Sequence, residues 1–387
     1  MPGRNIIFMK ITILGSTGSI GRQAVDVALF MGYEVEALAF SKDIKTGEAQ
    51  VRLLKPQICA VYDEEAGKEL ARRVADTDTK VVYGEEGVLE AASHKGVDVV
   101  INAIVGMAGL RPTLCALEHV KRLALANKET LVCAGQIVMK KIKEKGVELL
   151  PVDSEHSAIY RCLLSDHARG YKKLILTASG GPFYSKKAEE LKDKGVKETL
   201  AHPTWQMGAK ITVDSATLMN KGFEVIEACH IFDADPDDVE VVVHRQSIVH
   251  SMVELHDGAV IAQLSVPDMR ECIQYALTYP AVEPSKLERL DFCKIGTLTF
   301  SEYDKETFPL LDFACECYKK GGVIPSVLNG ANEEAVAAFL QGRIKFLEIA
   351  ETVMKVTREF ENVSDPTVDE IISAGLEARA RVRALLG

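Results

Sequence analysis

"KITILGSTGSIGRQAVDVALFMG", residues 10–32, decides the fold class of this chain. Ile11, Ile13 and Leu14 make a strand, Gly15, Gly18 and Gly21 punctuate a turn, and Val25, Ala28 and Leu29 form the apolar stripe of a helix. Such a turn aims the amides of a helix N-terminus at a pyrophosphate, and glycines let the main chain approach it closely. Thr17 and Ser19 add hydroxyl donors. The spacing is G-x-x-G-x-x-G rather than the commoner G-x-G-x-x-G, so the string alone also fits a turn without a ligand. Its strand–turn–helix context favours a dinucleotide.

Moving outward, a second strand over 33–40 ends at Ser41-Lys42-Asp43. Folds of this type select NAD with an acid near the end of this strand. Here Glu36 lies within the strand, Lys42 is the first charged residue past it, and Arg22 opens the helix. Two cations favour a 2′-phosphate, hence NADP(H), with Asp43 as the one dissenting acid. Further buried strands are expected within 57–63, 80–84, 98–106 and 122–129, separated in several places by amphipathic helices. That alternation implies a mostly parallel, doubly wound sheet with ligands outside the carboxyl ends of its strands. Asn102 and the Asn127-Lys128-Glu129 triplet fall at or just beyond such ends, and Lys128 stands beside the expected nicotinamide crevice.

The chain of 387 residues is too long for one ordinary core. A net charge of −10 argues against general nucleic-acid binding but leaves room for a local basic pocket around an anionic substrate. No apolar run approaches membrane-spanning length, and "MPGRNIIFMKITILG" lacks a signal-peptide core. Nine cysteines without a C-x-x-C pair read as free thiols. The expectation is a cytoplasmic protein with no nucleic-acid or membrane partner.

"PVDSEHSAIY", residues 151–160, follows an expected strand over 147–150. In an extended segment Asp153 and Glu155 would share a face and repel, unless a positive group sits between them or both are solvated at a strand end. After a helix over about 156–168, a strand within 172–183 ends in Ser179-Gly180-Gly181-Pro182, a turn rich in backbone donors that suits an anion but also fits a plain turn. Trp205, the single tryptophan, sits with His202, Met207 and Gly208 in a polar loop placed to act as a lid. From Asp214 onward a helix would set Thr217, Asn220, Lys221 and Glu224 on one polar stripe. As a solvated face this stripe would matter little. As a site, Ser215, Asn220 and Lys221 would contact a phosphate, and Glu224 would join Asp153 and Glu155 around Mg²⁺ or Mn²⁺, which prefer oxygen ligands. Two strands within 239–258 carry His244, His250 and His256 at six-residue spacing, on one face if the strand is unbroken. Four amphipathic helices follow residue 310, with an N-cap expected near Asn332.

The strings "GSTGSIG" (15–21), "ALANKE" (124–129), "PVDSEHSAI" (151–159), "LTASGGPF" (176–183), "HPTWQMGAKITVDSATLMNKGFEVIEA" (202–228), "VHRQSIVHSMVE" (243–254) and "NGANEEAVAAFL" (329–340) together resemble the 1-deoxy-D-xylulose 5-phosphate reductoisomerases over essentially the whole chain. The resemblance implies NADPH, a divalent Mg²⁺, Mn²⁺ or Co²⁺, a sugar-phosphate substrate and a homodimer. It implies an α/β protein with a Rossmann-like NADPH-binding domain over 9–152, a central α/β (α+β) catalytic domain over 153–277, a linker over 278–309 and a small C-terminal helical bundle over 310–387. It assigns Asp153, Glu155 and Glu224 to the metal, and Lys128, Ser154, Glu155, Ser179, His202, Ser215, Asn220, Lys221 and Glu224 to the substrate. Thr17, Gly18, Ser19, Ile20, Asn127, Glu129 and Gly208 go to NADPH, with Ser41, Lys42 and Asp43 at its 2′-phosphate. Lys128, Glu155, His202 and Trp205 are the candidate catalytic residues. Arg245 stands where the family usually has proline, and Ala178 where glycine is common. A semialdehyde dehydrogenase would need a reactive cysteine, and Cys133, just past a strand, lies in an apolar stretch. An NADP-binding sensor would leave the acids, serines and lysine without a purpose.

Overall fold

The computed structural model describes residues 9–165, 170–202, 204, 205 and 207–387. The chain divides into two compact units, one of residues 1–130, 138–153 and 268–287, the other of residues 131–137, 154–267 and 288–387.

The first unit alternates strand and helix. It runs β1 (Lys10–Leu14), α1 (Ser19–Met31), β2 (Glu34–Phe40), α2 (Ile44–Leu54), β3 (Ile58–Val61), α3 (Glu64–Arg73), β4 (Lys80–Tyr83) and α4 (Gly84–Ala92). Then come β5 (Val99–Asn102), α5 (Leu110–Ala116), β6 (Arg122–Leu125), α6 (Lys128–Lys145) and β7 (Glu148–Pro151). The seven strands form one parallel sheet in the order β4-β3-β2-β1-β5-β6-β7. Strand order reverses between β1 and β5, which opens a crevice at their carboxyl ends. The inner strands read as near-continuous apolar runs because helices cover both faces. β4 is an edge strand with exposed ends, not the buried strand its sequence suggests. α6 is kinked at Ala134.

The second unit contains α7 (Ser154–Ser165), β8 (Lys173–Ala178), α8 (Ala188–Leu191), α9 (Val196–Thr199), α10 (Ala209–Ala216), α11 (Met219–Phe232), β9 (Val239–Val243), β10 (Val249–Glu254) and β11 (Val260–Leu264). Its sheet runs β11-β10-β8-β9, with only the β8–β9 pair parallel. Ile159 of α7 and Val225 and Ala228 of α11 pack with Leu174, Leu176 and Val253 of the sheet. After α12 (Arg270–Thr278), which packs on α1 in the first unit, come α13 (Phe292–Ile295), α14 (Leu310–Lys320), α15 (Ile324–Leu340), α16 (Phe346–Arg358) and α17 (Val368–Leu386). Thr367 and Glu370 form the capping box of α17.

Several expectations need correction. Helix α7 starts at Ser154, two residues early, so Asp153 and Glu155 are not neighbours on an extended face; the part of that helix expected over 166–168 lies outside the described residues. The helix expected from Asp214 is two helices, broken where Leu218 adopts φ 60°. Thr217 therefore leaves the stripe of Asn220, Lys221 and Glu224. His244 directly follows β9, His250 lies in β10 and His256 is exposed beyond it, so they share no single strand. Asn332 is no N-cap: it lies inside α15, buried, and donates to the Asp214 carboxylate at 2.8 Å.

Candidate active site

In the first unit the glycine turn is shaped by close approach. Gly15, at φ 83°, has no room for a side chain, because a Cβ there would lie 2.4 Å from the Ala103 carbonyl oxygen of the neighbouring crossover. A Cβ on Gly21 would lie 2.1 Å from the Gly15 carbonyl oxygen. The turn thus seats β1 and α1 directly against each other. Gly18 is the N-cap of α1, with Thr17 and Ile20 half-buried and Gly18 and Ser19 exposed. The amides of the first turn of a helix have no partner within it and favour an anion.

Ser41, Lys42 and Asp43 are exposed after β2. Asp43 caps α2, accepting from the Thr46 amide at 3.1 Å, and the Thr46 side chain first, then that amide, hold its carboxyl below the usual range. Glu36 is buried and paired with Lys10. Neither acid is poised for a ribose hydroxyl, which leaves Lys42 as the charged group at the strand's end.

The triplet after β6 opens α6. Asn127 caps the helix through the Thr130 amide at 2.9 Å and donates to the carbonyls of Ile104 at 2.6 Å and Gly106 at 2.8 Å. Its side chain therefore shapes the 104–109 loop. Asn102 is likewise committed, to Gly109 and Thr113. Glu129 is buried in the first turn of α6. Lys128 places its ammonium 2.6 Å from Asp153, with both side chains largely buried.

In the second unit Glu155 lies in the first turn of α7, where the helix dipole favours a carboxylate, and it accepts from the Ser154 hydroxyl. Lys221 reaches across from α11, 2.7 Å from Glu155 and in direct contact with Glu224. Asn220 also donates to Glu224. Lys221 and Glu224 are 5% and 2% exposed, so the stripe is an interior one. The carboxylates supply the compensating charge that a buried ammonium requires. His156, which the sequence reading passed over although it follows Glu155 directly, is fully buried, with Nε2 2.8 Å from the Glu224 carbonyl and Nδ1 3.4 Å from Glu227.

Ser179 and His202 come together at 2.9 Å. Nδ1 of His202 accepts from the amides of Trp205 at 2.9 Å and Thr204 at 3.2 Å, so Nε2 carries the proton and donates to the Ser179 hydroxyl. Burial first, then the nearby Arg245 charge, pushes His202 down to about 4 and keeps it neutral. A Cβ on Gly181 would lie 2.8 Å from the Ser215 carbonyl, which puts the 179–181 turn directly against Ser215 on α10. Trp205 packs its ring 6.4 Å from that of His250, Met207 is half-buried, and Gly208 caps α10 beside open space. His250 bonds Ser265 at 3.0 Å. Lys210, four residues earlier on α10 and 2.8 Å away, and the distant Asn332 secure the buried Asp214 next to Ser215. Arg245, standing where the family usually has proline, bonds the carbonyls of Ser179 and Gly181. Cys133 is buried in α6, and burial raises the described thiols Cys59, Cys162, Cys229, Cys272, Cys315 and Cys317 well above the reactive range.

Models of the 1-deoxy-D-xylulose 5-phosphate reductoisomerase, its C-terminal domain and the DXP reductoisomerase C-terminal domain match residues 11–135, 149–232 and 264–381. The reductoisomerase of Acetivibrio thermocellus is 52% identical over 377 residues, covering 97% of this chain and 99% of its own. That of Exiguobacterium sibiricum is 50% identical over 379 residues, covering 97% and 98%. Among solved structures, the Zymomonas mobilis enzyme in complex with NADPH superposes with a TM-score of 0.91 at 38% identity, covering 98% of this chain and 99% of its own. A DOX-P reductoisomerase in complex with NADPH, fosmidomycin and magnesium gives 0.90 at 37%, covering 98% of each. The parallel sheet with its glycine turn, the buried acids and these full-length likenesses agree: the chain belongs to the 1-deoxy-D-xylulose 5-phosphate reductoisomerase family.

Proposed function

We propose that this chain converts 1-deoxy-D-xylulose 5-phosphate to 2-C-methyl-D-erythritol 4-phosphate with NADPH and a divalent cation, as a cytoplasmic homodimer. The observation that carries the residue assignment is the convergence of Glu155, in the first turn of α7, and the buried Glu224 on the Lys221 ammonium. Acids arranged so closely require a cation, and their all-oxygen chemistry suits Mg²⁺, Mn²⁺ or Co²⁺. Glu155 and Glu224, with Asp153 two residues before Glu155, would hold it. Among the described residues no helix is long and apolar enough to cross a membrane.

Held by these acids, such a cation would supply Lewis-acid polarisation of the ketose for rearrangement of its carbon skeleton, by retroaldol–aldol cleavage or an α-ketol shift, and NADPH would supply the hydride for the reduction. The chain's own groups bind and orient. Ser179, His202, Ser215 and Asn220 form the phosphate cradle, in which neutral His202 donates through Nε2 without competing for the phosphate's protons. Lys221 serves the phosphate once Glu155 and Glu224 are neutralised by another cation, and Ser154 and Lys128 orient the sugar beside their carboxylate partners. Trp205 and Met207 cover the bound sugar and exclude water. The glycine turn, Thr17 to Ile20, and the main chain at Asn127 and Glu129 take NADPH, Gly208 contributes its amide, and Ser41 and Lys42 take the 2′-phosphate.

The test follows NADPH absorbance with the ketose phosphate while divalent metal is titrated. Oxidation that requires both additions supports the reading. Metal-independent turnover abolished by a thiol-alkylating reagent would favour a semialdehyde dehydrogenase, and binding of NADPH without turnover a sensor.

A further inference from the structure

The 179–181 turn is held by a residue for which the cradle described above has no use. Arg245 follows β9, and its Nη1 donates to the carbonyls of Ser179 at 2.8 Å and Gly181 at 2.6 Å. The guanidinium carbon lies 4.9 Å from the centre of the Tyr184 ring, which fixes the plane of the fork. The Arg245 carbonyl accepts from the Thr204 hydroxyl at 3.3 Å, so the same residue touches the loop that carries His202.

The turn needs such a hold. Gly180 and Gly181 are both left-handed, at φ 75° and 63°, and two consecutive glycines have no side chain to anchor them. The surroundings are tight: a Cβ on Gly180 would lie 2.9 Å from Val243 Cγ1, and one on Gly181 would lie 2.8 Å from the Ser215 carbonyl. A shift of this turn therefore moves Ser179 relative to both Ser215 and His202. The charge of Arg245 is also felt at His202, where it works with burial to disfavour protonation.

We propose that Arg245 is a positioning residue of the phosphate site, whose guanidinium keeps the 179–181 turn in register with Ser215 and His202 and adds a fixed positive charge there. This rests on the reading of Ser179, His202 and Ser215 as phosphate contacts, so the test includes a variant that probes that reading alone.

Arg245→Gln, Arg245→Lys and Ser215→Ala are compared in the NADPH- and metal-loaded enzyme. The readouts are KM and kcat for the ketose phosphate, the inhibition constant of inorganic phosphate, and the titration midpoint of His202 by NMR. Arg245→Gln should raise KM and the phosphate inhibition constant together by roughly tenfold, the effect of losing charge-assisted hydrogen bonds that order a binding turn. Its kcat should stay within about twofold, and the His202 midpoint should rise. Arg245→Lys keeps the charge and loses the fork, so it should restore the His202 midpoint but only part of the affinity. A weaker phosphate site in Ser215→Ala alone, with both Arg245 variants like wild type, would overturn the proposal. Unchanged phosphate inhibition in all three would overturn the cradle and the proposal with it. If Arg245→Gln does not fold, Arg245→Lys decides: wild-type phosphate inhibition there contradicts the hold.

Discussion

Lys221 and Glu155 meet at 2.7 Å although 66 residues separate them in the chain. The ammonium also touches Glu224, so one lysine bridges two acids from different helices and leaves a net negative charge. Removing the partner of a buried charge typically costs about 3–5 kcal/mol. Lys221→Gln should therefore lower the melting temperature markedly in EDTA. Millimolar Mg²⁺ or Mn²⁺ should recover most of that loss, because another cation then sits between the acids. Thermal melts with and without metal check this; a loss that metal leaves untouched would contradict it.

The proposed 2′-phosphate site makes Lys42, rather than Asp43, the residue that would set cofactor choice. Asp43 spends its carboxylate on the cap of α2, and loss of such a cap costs about 1 kcal/mol. Asp43→Ala should lower stability slightly and leave the NADPH-to-NADH preference unchanged. Lys42→Ala should raise KM for NADPH roughly tenfold, the scale of one charge-assisted phosphate contact, with little change for NADH. Parallel changes for both cofactors in Lys42→Ala would refute the assignment.

Two histidines are held neutral by burial, His202 and His230, each pushed down to about 4. The unfolded chain protonates them near pH 6.5, so in that range it binds more protons than the folded one. Stability from these groups is fully present above pH 6.5 and is lost as the pH falls toward 4. Melting temperature against pH should show this decline, with a shallower slope in His202→Asn. A flat profile between 6.5 and 4 would contradict the neutral assignment. The activity profile should carry no inflection from His202 in the same window.

The first unit was legible because its signals are local. A strand, a glycine turn and an amphipathic helix announce themselves within one short stretch, and the buried parallel strands are apolar runs. β4 was misread because a strand's place at a sheet edge depends on neighbours distant in sequence. The break at Leu218 was invisible because nothing in its type announces a left-handed backbone, which tertiary packing alone enforces on a buried leucine. In the second unit residue identity pointed to the acids, serines and lysines, whereas their partners were not readable. Lys221 sits on carboxylates, Asn127 is consumed in capping, and Asn332 reaches Asp214 over 118 residues. His156 was hidden behind the acids it supports, since a histidine inside a core leaves no periodic trace.

The central claim is that Asp153, Glu155 and Glu224 hold one divalent cation, and the direct test is Mn²⁺ binding measured by calorimetry or electron paramagnetic resonance in wild type and Glu224→Gln. One site per chain, weakened roughly a hundredfold or more in the variant as expected for loss of a charged ligand, with NADPH affinity intact, is the predicted result. Equal Mn²⁺ affinity in the two proteins would contradict it.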